Sequence, residues 1–213
     1  SDYTPQELAP LNIPYVCCSY DNQYGTLPPD SYASVSIADE EEACRAVTEL
    51  YRCGHRRIAA LVSGTEDRSI SQLRYQGYVR ALAAHGLPLE QELVIEAGSF
   101  DIRQSYLAMQ RRLLAGAQFT ALFAISDNMA IGAMRALREA GRRIPEDCSV
   151  IAIDGLTVSD YINPALTTLC QPMEHMGRRS VEILLDMVEH RGGPIRETAH
   201  TTLRTGESVR DIS

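Results

Sequence analysis

The sequence predicts an α/β fold of doubly wound parallel sheets, and three observations carry that expectation. Short apolar runs of strand length alternate with amphipathic helical stretches along most of the chain. The strand-like runs IAALV, ALFAI and VIAI are apolar throughout rather than alternating, as strands covered on both faces require. The 213 residues, 45% of them hydrophobic and 23% charged, suit one large α/β unit or two small lobes.

The elements follow in order. IPYVCCS, residues 13–19, reads as a buried strand, and YDNQYGTLPPD supplies a turn-rich exit. DEEEACRAVTELYRCG reads as a helix: Asp39 can cap its start, Ala43, Ala46, Val47, Leu50 and Tyr51 give an apolar face, and Gly54 can close it. RRIAALVSG is a strand, and residues 69–84 form a helix that ends near HGLP. The order continues with strand LVIEAG, helix IRQSYLAMQRRLLAG, strand TALFAIS, helix DNMAIGAMRALREAG and strand CSVIAID. A short strand at 166–170, a long helix at 173–189 and one extended segment at 199–204 complete the pattern.

Charge and cysteine usage narrow the function classes. Twenty Lys and Arg against 28 Asp and Glu give a net charge of -8, so these residues offer no broad basic surface for nucleic acid. No apolar run approaches the roughly 18 residues of a membrane span, so no membrane partner is expected. Cys17, Cys18, Cys44, Cys53, Cys148 and Cys170 lack metal-ligand spacing and lie mostly in apolar patterns, which favours reduced core thiols over a metal site.

In a doubly wound sheet, ligands bind beyond the carboxyl ends of the strands. That places Ser19, Ser63, Arg74, Phe100, Ser126, Asp127 and Asp154 under scrutiny. A guanidinium at Arg74 suits hydroxyls, a carboxylate or a phosphate, although it also suits an ordinary ion pair. Asp154, before Gly155, can accept from ligand hydroxyls or brace a turn. Ser126 and Asp127 introduce a helix, where capping competes with ligand contact. Phe100 reads as a core anchor or as an apolar platform beneath a ring, and Tyr20, Tyr24, Tyr75 and Tyr78 add possible ring contacts. Catalytic signals are weak: there is no GxxxxGK[ST] loop, GxGxxG turn or GxSxG elbow, and His55 and His85 read as structural. No enzyme, cofactor or metal is expected.

The stretches ADEEEACRAVTELYRCGHRRIAALVSG, LRYQGYVRALAAHG, TALFAISDNMAIGAMRALREAGRRIPEDCSVIAIDG and INPALTTLCQPMEHMGRRSVEILL together resemble the ligand-sensing region of the LacI/GalR family of bacterial transcription regulators. The resemblance implies a periplasmic-binding-protein-like fold of type I, with two lobes joined by three crossovers and an effector cleft between them. It matches residues 36–170 and 194–213 to the carboxyl-side, effector-binding lobe. Residues 1–35 and 171–193 match the later part of an amino-side lobe with its dimerisation elements. That lobe is expected to be incomplete here, and the helix-turn-helix head is expected to lie outside this sequence.

The resemblance also implies site roles. Arg74 corresponds to the effector-gripping arginine, Asp154 to the carboxylate that receives ligand hydrogen bonds, and Phe100 to the aromatic cleft residue. Ser126 and Asp127 fall in the loop after the family's next sheet strand, where at least one of the two often faces ligand, and Gln171 falls at the last crossover. Ser19 stands where several sugar-responsive relatives carry an aspartate. Arg74 and Asp154 are expected as opposite polar anchors of the cleft. The implied protein is a cytoplasmic homodimer that senses a sugar or related polar metabolite and meets operator DNA only through its head. The alternatives from other classes are a transport-linked solute-binding protein and a small-molecule enzyme.

Overall fold

Parallel strands cannot be joined by tight hairpins, so each needs a crossover, and helices that supply it bury the sheet between them. The computed structural model describes residues 13–19, 32–65 and 70–213, and the chain divides into two units. One comprises Ser1–Ala38 and Gln171–Thr201, the other Asp39–Cys170 and Thr202–Ser213, so the chain passes between them three times.

The larger unit begins with helix α1 (Asp39–Arg52) and continues through β3 (Ile58–Val62), α2 (Ile70–Ala84), β4 (Val94–Glu96), α3 (Ile102–Leu114), β5 (Ala121–Ala124), α4 (Asp127–Glu139), β6 (Ser149–Asp154), β7 (Thr167–Cys170) and β9 (Thr202–Arg204). Its sheet has the order β4-β3-β5-β6-β7-β9, parallel except for β9, which runs antiparallel to β7. α1 packs against α2 and α3 against α4, covering the sheet on both faces. Every residue of β3 and β5 is buried, as their uninterrupted apolar sequence requires. α1 carries four acids in its first turn and Arg52 in its last, both favourable to the helix dipole. Gly77 permits the α1–α2 approach, because a Cβ there would collide with the carbonyl oxygen of Glu40.

The smaller unit holds β1 (Val16–Cys18), β2 (Ala33–Ile37) and β8 (Arg196–Ala199) in the parallel order β1-β2-β8, with α5 (Met173–Val188) packed on β1 and β2. Two expectations change here. The strand β2 was not anticipated, because Ser34 and Ser36 interrupt its apolar sequence; all five of its residues are nevertheless buried. The single extended segment expected at 199–204 is two strands in different sheets, β8 beside β2 and β9 beside β7. Consequently residues 36–38 and 194–201 belong to the smaller unit, and the expected boundaries at 35/36 and 193/194 move to 38/39 and 201/202.

Smaller corrections are physical as well. Of the six thiols only Cys148 is fully buried, and Cys18 is exposed, so the described cysteines are free but not mainly core residues. His55 is structural as expected: buried, it bonds Thr120 Oγ1, Ser149 Oγ and the Arg210 carbonyl. The expected turn over residues 20–30, with Tyr20 and Tyr24, lies outside the described residues.

Candidate functional site

The strand order of the larger sheet reverses direction between β3 and β5: the chain moves outward from β3 to β4, then returns past β3 to β5 and on to β6. At such a switch point adjacent loops diverge and open a crevice beyond the carboxyl ends of the strands. Arg74, one turn into α2, sends its guanidinium there. Nε donates to Asp39 Oδ1 at 2.8 Å, and Nη1 donates to the carbonyl of Ile125, just past β5, and to Asp154 Oδ1 at 3.2 Å at the end of β6. Among the described residues Nη2 donates to none.

The Arg74 and Asp39 side chains are 3% and 4% exposed, whereas that of Asp154 retains 18%. The carboxylate at the end of β6 is therefore the member of the trio that meets solvent. Burial opposes a charge on Arg74, but the Asp39 and Asp154 carboxylates outweigh it and raise its pKa above the usual arginine value. Arg74 and Asp154 are thus bonded to one another, and the expectation that they stand as opposite anchors is corrected. Asp39, which the sequence suggests as a helix cap, is the arginine's shortest ionic partner.

The backbone around Asp154 is specialised. Asp154 itself has φ +143, and Gly155 follows at φ +77, where a Cβ would lie 2.5 Å from Cys170 Sγ. A non-glycine residue held at positive φ stores strain, which in folded proteins concentrates at functional sites.

Ser126 and Asp127 divide their expected roles. Ser126 is the N-cap of α4, its Oγ accepting from the Met129 N–H at 3.3 Å. Asp127 is fully buried, and its carboxylate accepts from the Leu156 N–H at 2.7 Å, Ser159 Oγ at 2.6 Å and Thr168 Oγ1 at 2.6 Å. It braces the segment after Asp154 against β7. Its expected ligand contact is replaced by that bracing role, because its oxygens face internal donors and none of its surface meets solvent.

Phe100, in the connection from β4 to α3, is 38% exposed and is not the core anchor that one reading expected. Tyr78 is core: its hydroxyl donates to the Ile58 carbonyl at 2.8 Å, and burial pushes its pKa up. Ser63 donates its N–H to Ser71 Oγ at 3.1 Å, which ties the end of β3 to the start of α2. In the smaller unit Ser19, at φ +59, donates its hydroxyl to Gln171 Oε1 at 3.0 Å, so these two expected site residues are neighbours. Among the described residues no cluster of His, Cys, Asp and Glu is placed to hold a metal ion.

The comparisons with known proteins agree with this architecture. Residues 47–209 match the periplasmic binding protein-like domain family. The chain is 35% identical over 210 residues to the HTH-type transcriptional regulator CelR of Thermobifida fusca, an alignment covering 99% of this chain and 59% of that protein. A solved structure described as a transcriptional regulator CelR-cellobiose complex superposes with a TM-score of 0.86 at 34% identity, over 96% of this chain and 61% of the other. A putative LacI-family regulator from Sanguibacter keddieii gives a TM-score of 0.83 at 30% identity, over 92% of this chain and 73% of its own. This chain spans about three-fifths of the length of CelR and of the probable HTH-type transcriptional repressor ExuR of Bacillus subtilis.

Proposed function

The chain belongs to the periplasmic-binding-protein-like domains of LacI-family regulators, and from that premise we propose that it is the metabolite-sensing portion of a DNA-binding transcriptional regulator. The observation that carries the reading is the buried Arg74 guanidinium at the switch point, bonded to an Asp154 carboxylate that remains partly exposed. A ligand hydroxyl can donate to Asp154 while a ligand oxygen accepts from Nη2, a two-way arrangement that suits polyhydroxylated metabolites. Phe100 is an exposed apolar surface on the same edge of the sheet, fit to lie against a sugar ring. The cellobiose complex of the CelR regulator supports a sugar or sugar derivative as the effector class.

No reaction is required of this site. Reversible ligand binding that favours one conformational state over another suffices to change DNA affinity in a protein of which this chain is a part. The whole regulator is then a homodimer that acts on operator DNA in the cytoplasm through a separate head. Among the described residues no helix is long and apolar enough to cross a membrane.

Titration calorimetry on the full-length protein tests the reading with cellobiose, ribose and galactose as probes. Arg74→Lys and Asp154→Asn are expected to weaken binding by tenfold or more while the fold is retained, since the first loses the Nη2 donor and the second replaces a charged acceptor with a neutral one (about 1.5–3 kcal/mol for a bond to a charged group). Unchanged affinity in both variants would remove the site assignment.

A further inference from the structure

The carboxylate that meets solvent at the switch point stands at the head of a strained turn. Asp154 at φ +143 is followed by Gly155 at φ +77, and a non-glycine residue in that region persists only where surrounding contacts hold it. The next residue receives such contacts on both of its peptide groups. The Leu156 N–H donates to Asp127 Oδ2 at 2.7 Å, and the Leu156 carbonyl accepts from the Ser159 N–H at 3.0 Å and from Arg204 Nη2 at 3.3 Å. Arg204 Nη1 also donates to Asp160 Oδ2 at 3.0 Å, so one guanidinium bridges the two ends of the segment from Leu156 to Asp160. Arg204 stands in β9 opposite Thr168 of β7, the residue whose hydroxyl donates to Asp127 Oδ1. Two charged groups therefore grip the turn, the fully buried Asp127 and the partly exposed Arg204.

We propose that Arg204 is a positioning residue for the effector: it holds the segment from Leu156 to Asp160, and through it the Asp154 carboxylate, in the geometry that receives a ligand hydroxyl. The inference rests on the sensing role proposed above and adds to it a residue that acts on the ligand only through Asp154. The Ser159 bond to the Leu156 carbonyl lies within the turn and moves with it, whereas the Arg204 bonds tie the turn to a strand of the sheet. Arginine suits the task because its planar fork presents two donors at a fixed spacing, here to a carbonyl and a carboxylate four residues apart. β9 is also the first strand after the third passage of the chain between the two units, so the same side chain joins the edge that carries Asp154 to the segment arriving from the smaller unit.

Without these bonds the strained backbone relaxes, and affinity falls with the fraction of molecules that keep the competent geometry. A fraction of about one tenth, the scale of one hydrogen bond to a charged group, gives a loss of about tenfold. The test is titration calorimetry on the full-length protein with cellobiose, ribose and galactose as probes. Arg204→Met is expected to weaken the probe that wild type binds by about tenfold, while the urea midpoint shifts by no more than about 0.5 M because the side chain is partly exposed. Arg204→Lys keeps the charge but loses the fork, and is expected to lose only about threefold. In an Asp154→Asn background, Arg204→Met is expected to cost less than about threefold, because the bond it positions is already weakened.

An Arg204→Met affinity within about twofold of wild type overturns the proposal and leaves the sensing role standing. A full tenfold cost of Arg204→Met in the Asp154→Asn background also overturns it, since Arg204 then acts on the ligand by another route. An Arg204→Lys variant no better than Arg204→Met removes the charged donor as what the residue contributes. Wild-type protein that binds none of the probes overturns the sensing role of this edge and the proposal with it.

Discussion

Removal of the Asp127 carboxylate is the sharpest probe of how this edge of the sheet is held. Three donors from two separate segments converge on it: Leu156 N–H and Ser159 Oγ on one oxygen, Thr168 Oγ1 on the other. Asp127→Ala leaves the Leu156 N–H without its acceptor and strands two hydroxyls, of which Ser159 and Thr168 are buried. A bond to a charged acceptor contributes about 1.5–3 kcal/mol, and the two hydroxyls recover part of theirs by rotation, so a loss of about 4 kcal/mol is expected. Asp127→Asn behaves differently. With its carbonyl oxygen toward Leu156 and Ser159, its amide donates to Thr168 Oγ1, which can accept, and the loss falls to about 1–2 kcal/mol. Urea unfolding followed by circular dichroism measures both. An Asp127→Asn variant as unstable as Asp127→Ala, or an Asp127→Ala variant within about 1 kcal/mol of wild type, refutes the bracing role.

Three further expectations follow from the same contacts. Arg74→Met takes the guanidinium away from the buried Asp39 carboxylate and should cost about 3–5 kcal/mol, of which addition of Asp39→Asn should restore more than 1 kcal/mol; a second substitution that makes matters worse contradicts the pairing. Burial holds the His55 pKa below the ordinary 6.5, so its contribution to stability is complete above that pH and is lost as the pH falls toward the folded-state value. Unfolding free energy should therefore decline in wild type below pH 6.5 and decline less in His55→Gln, and parallel profiles would show that other groups set the acid limit. Phe100→Ala should leave stability within about 1 kcal/mol, because the ring is exposed, yet weaken ligand binding about tenfold; the opposite pattern would restore the core-anchor reading.

The elements that were legible in the sequence are those whose environment matches their composition. β3 and β5 are buried on both faces and apolar throughout, and α1 and α4 show acids at their starts with small apolar residues inward. β2 escaped because Ser34 and Ser36 are buried polar residues, and burial of a serine is a tertiary fact. β8 escaped because three of its four residues, Arg196, Glu197 and Thr198, are polar and not buried. The site divides in the same way. Arg74 and Asp154 were found from their positions at helix and strand ends and from family resemblance. Asp39 read as a helix cap at the head of a run of four acids, and nothing local marks it as the partner of a distant arginine. Its partner lies 35 residues on, and only the packing of α1 against α2 brings the two together. The roles of Ser126 and Asp127 were blurred for the same reason, since the donors to Asp127 come from 29 to 41 residues later in the chain.

The most direct measurement is a crystal structure of the full-length protein with the small molecule it retains through purification or, failing retention, with the probe that binds it most tightly in solution. The account predicts ligand density at the carboxyl ends of β3, β5 and β6, with a ligand hydroxyl donating to an Asp154 oxygen and a ligand oxygen accepting from Arg74 Nη2. Density that lies elsewhere and leaves the Arg74–Asp154 pair untouched would contradict it.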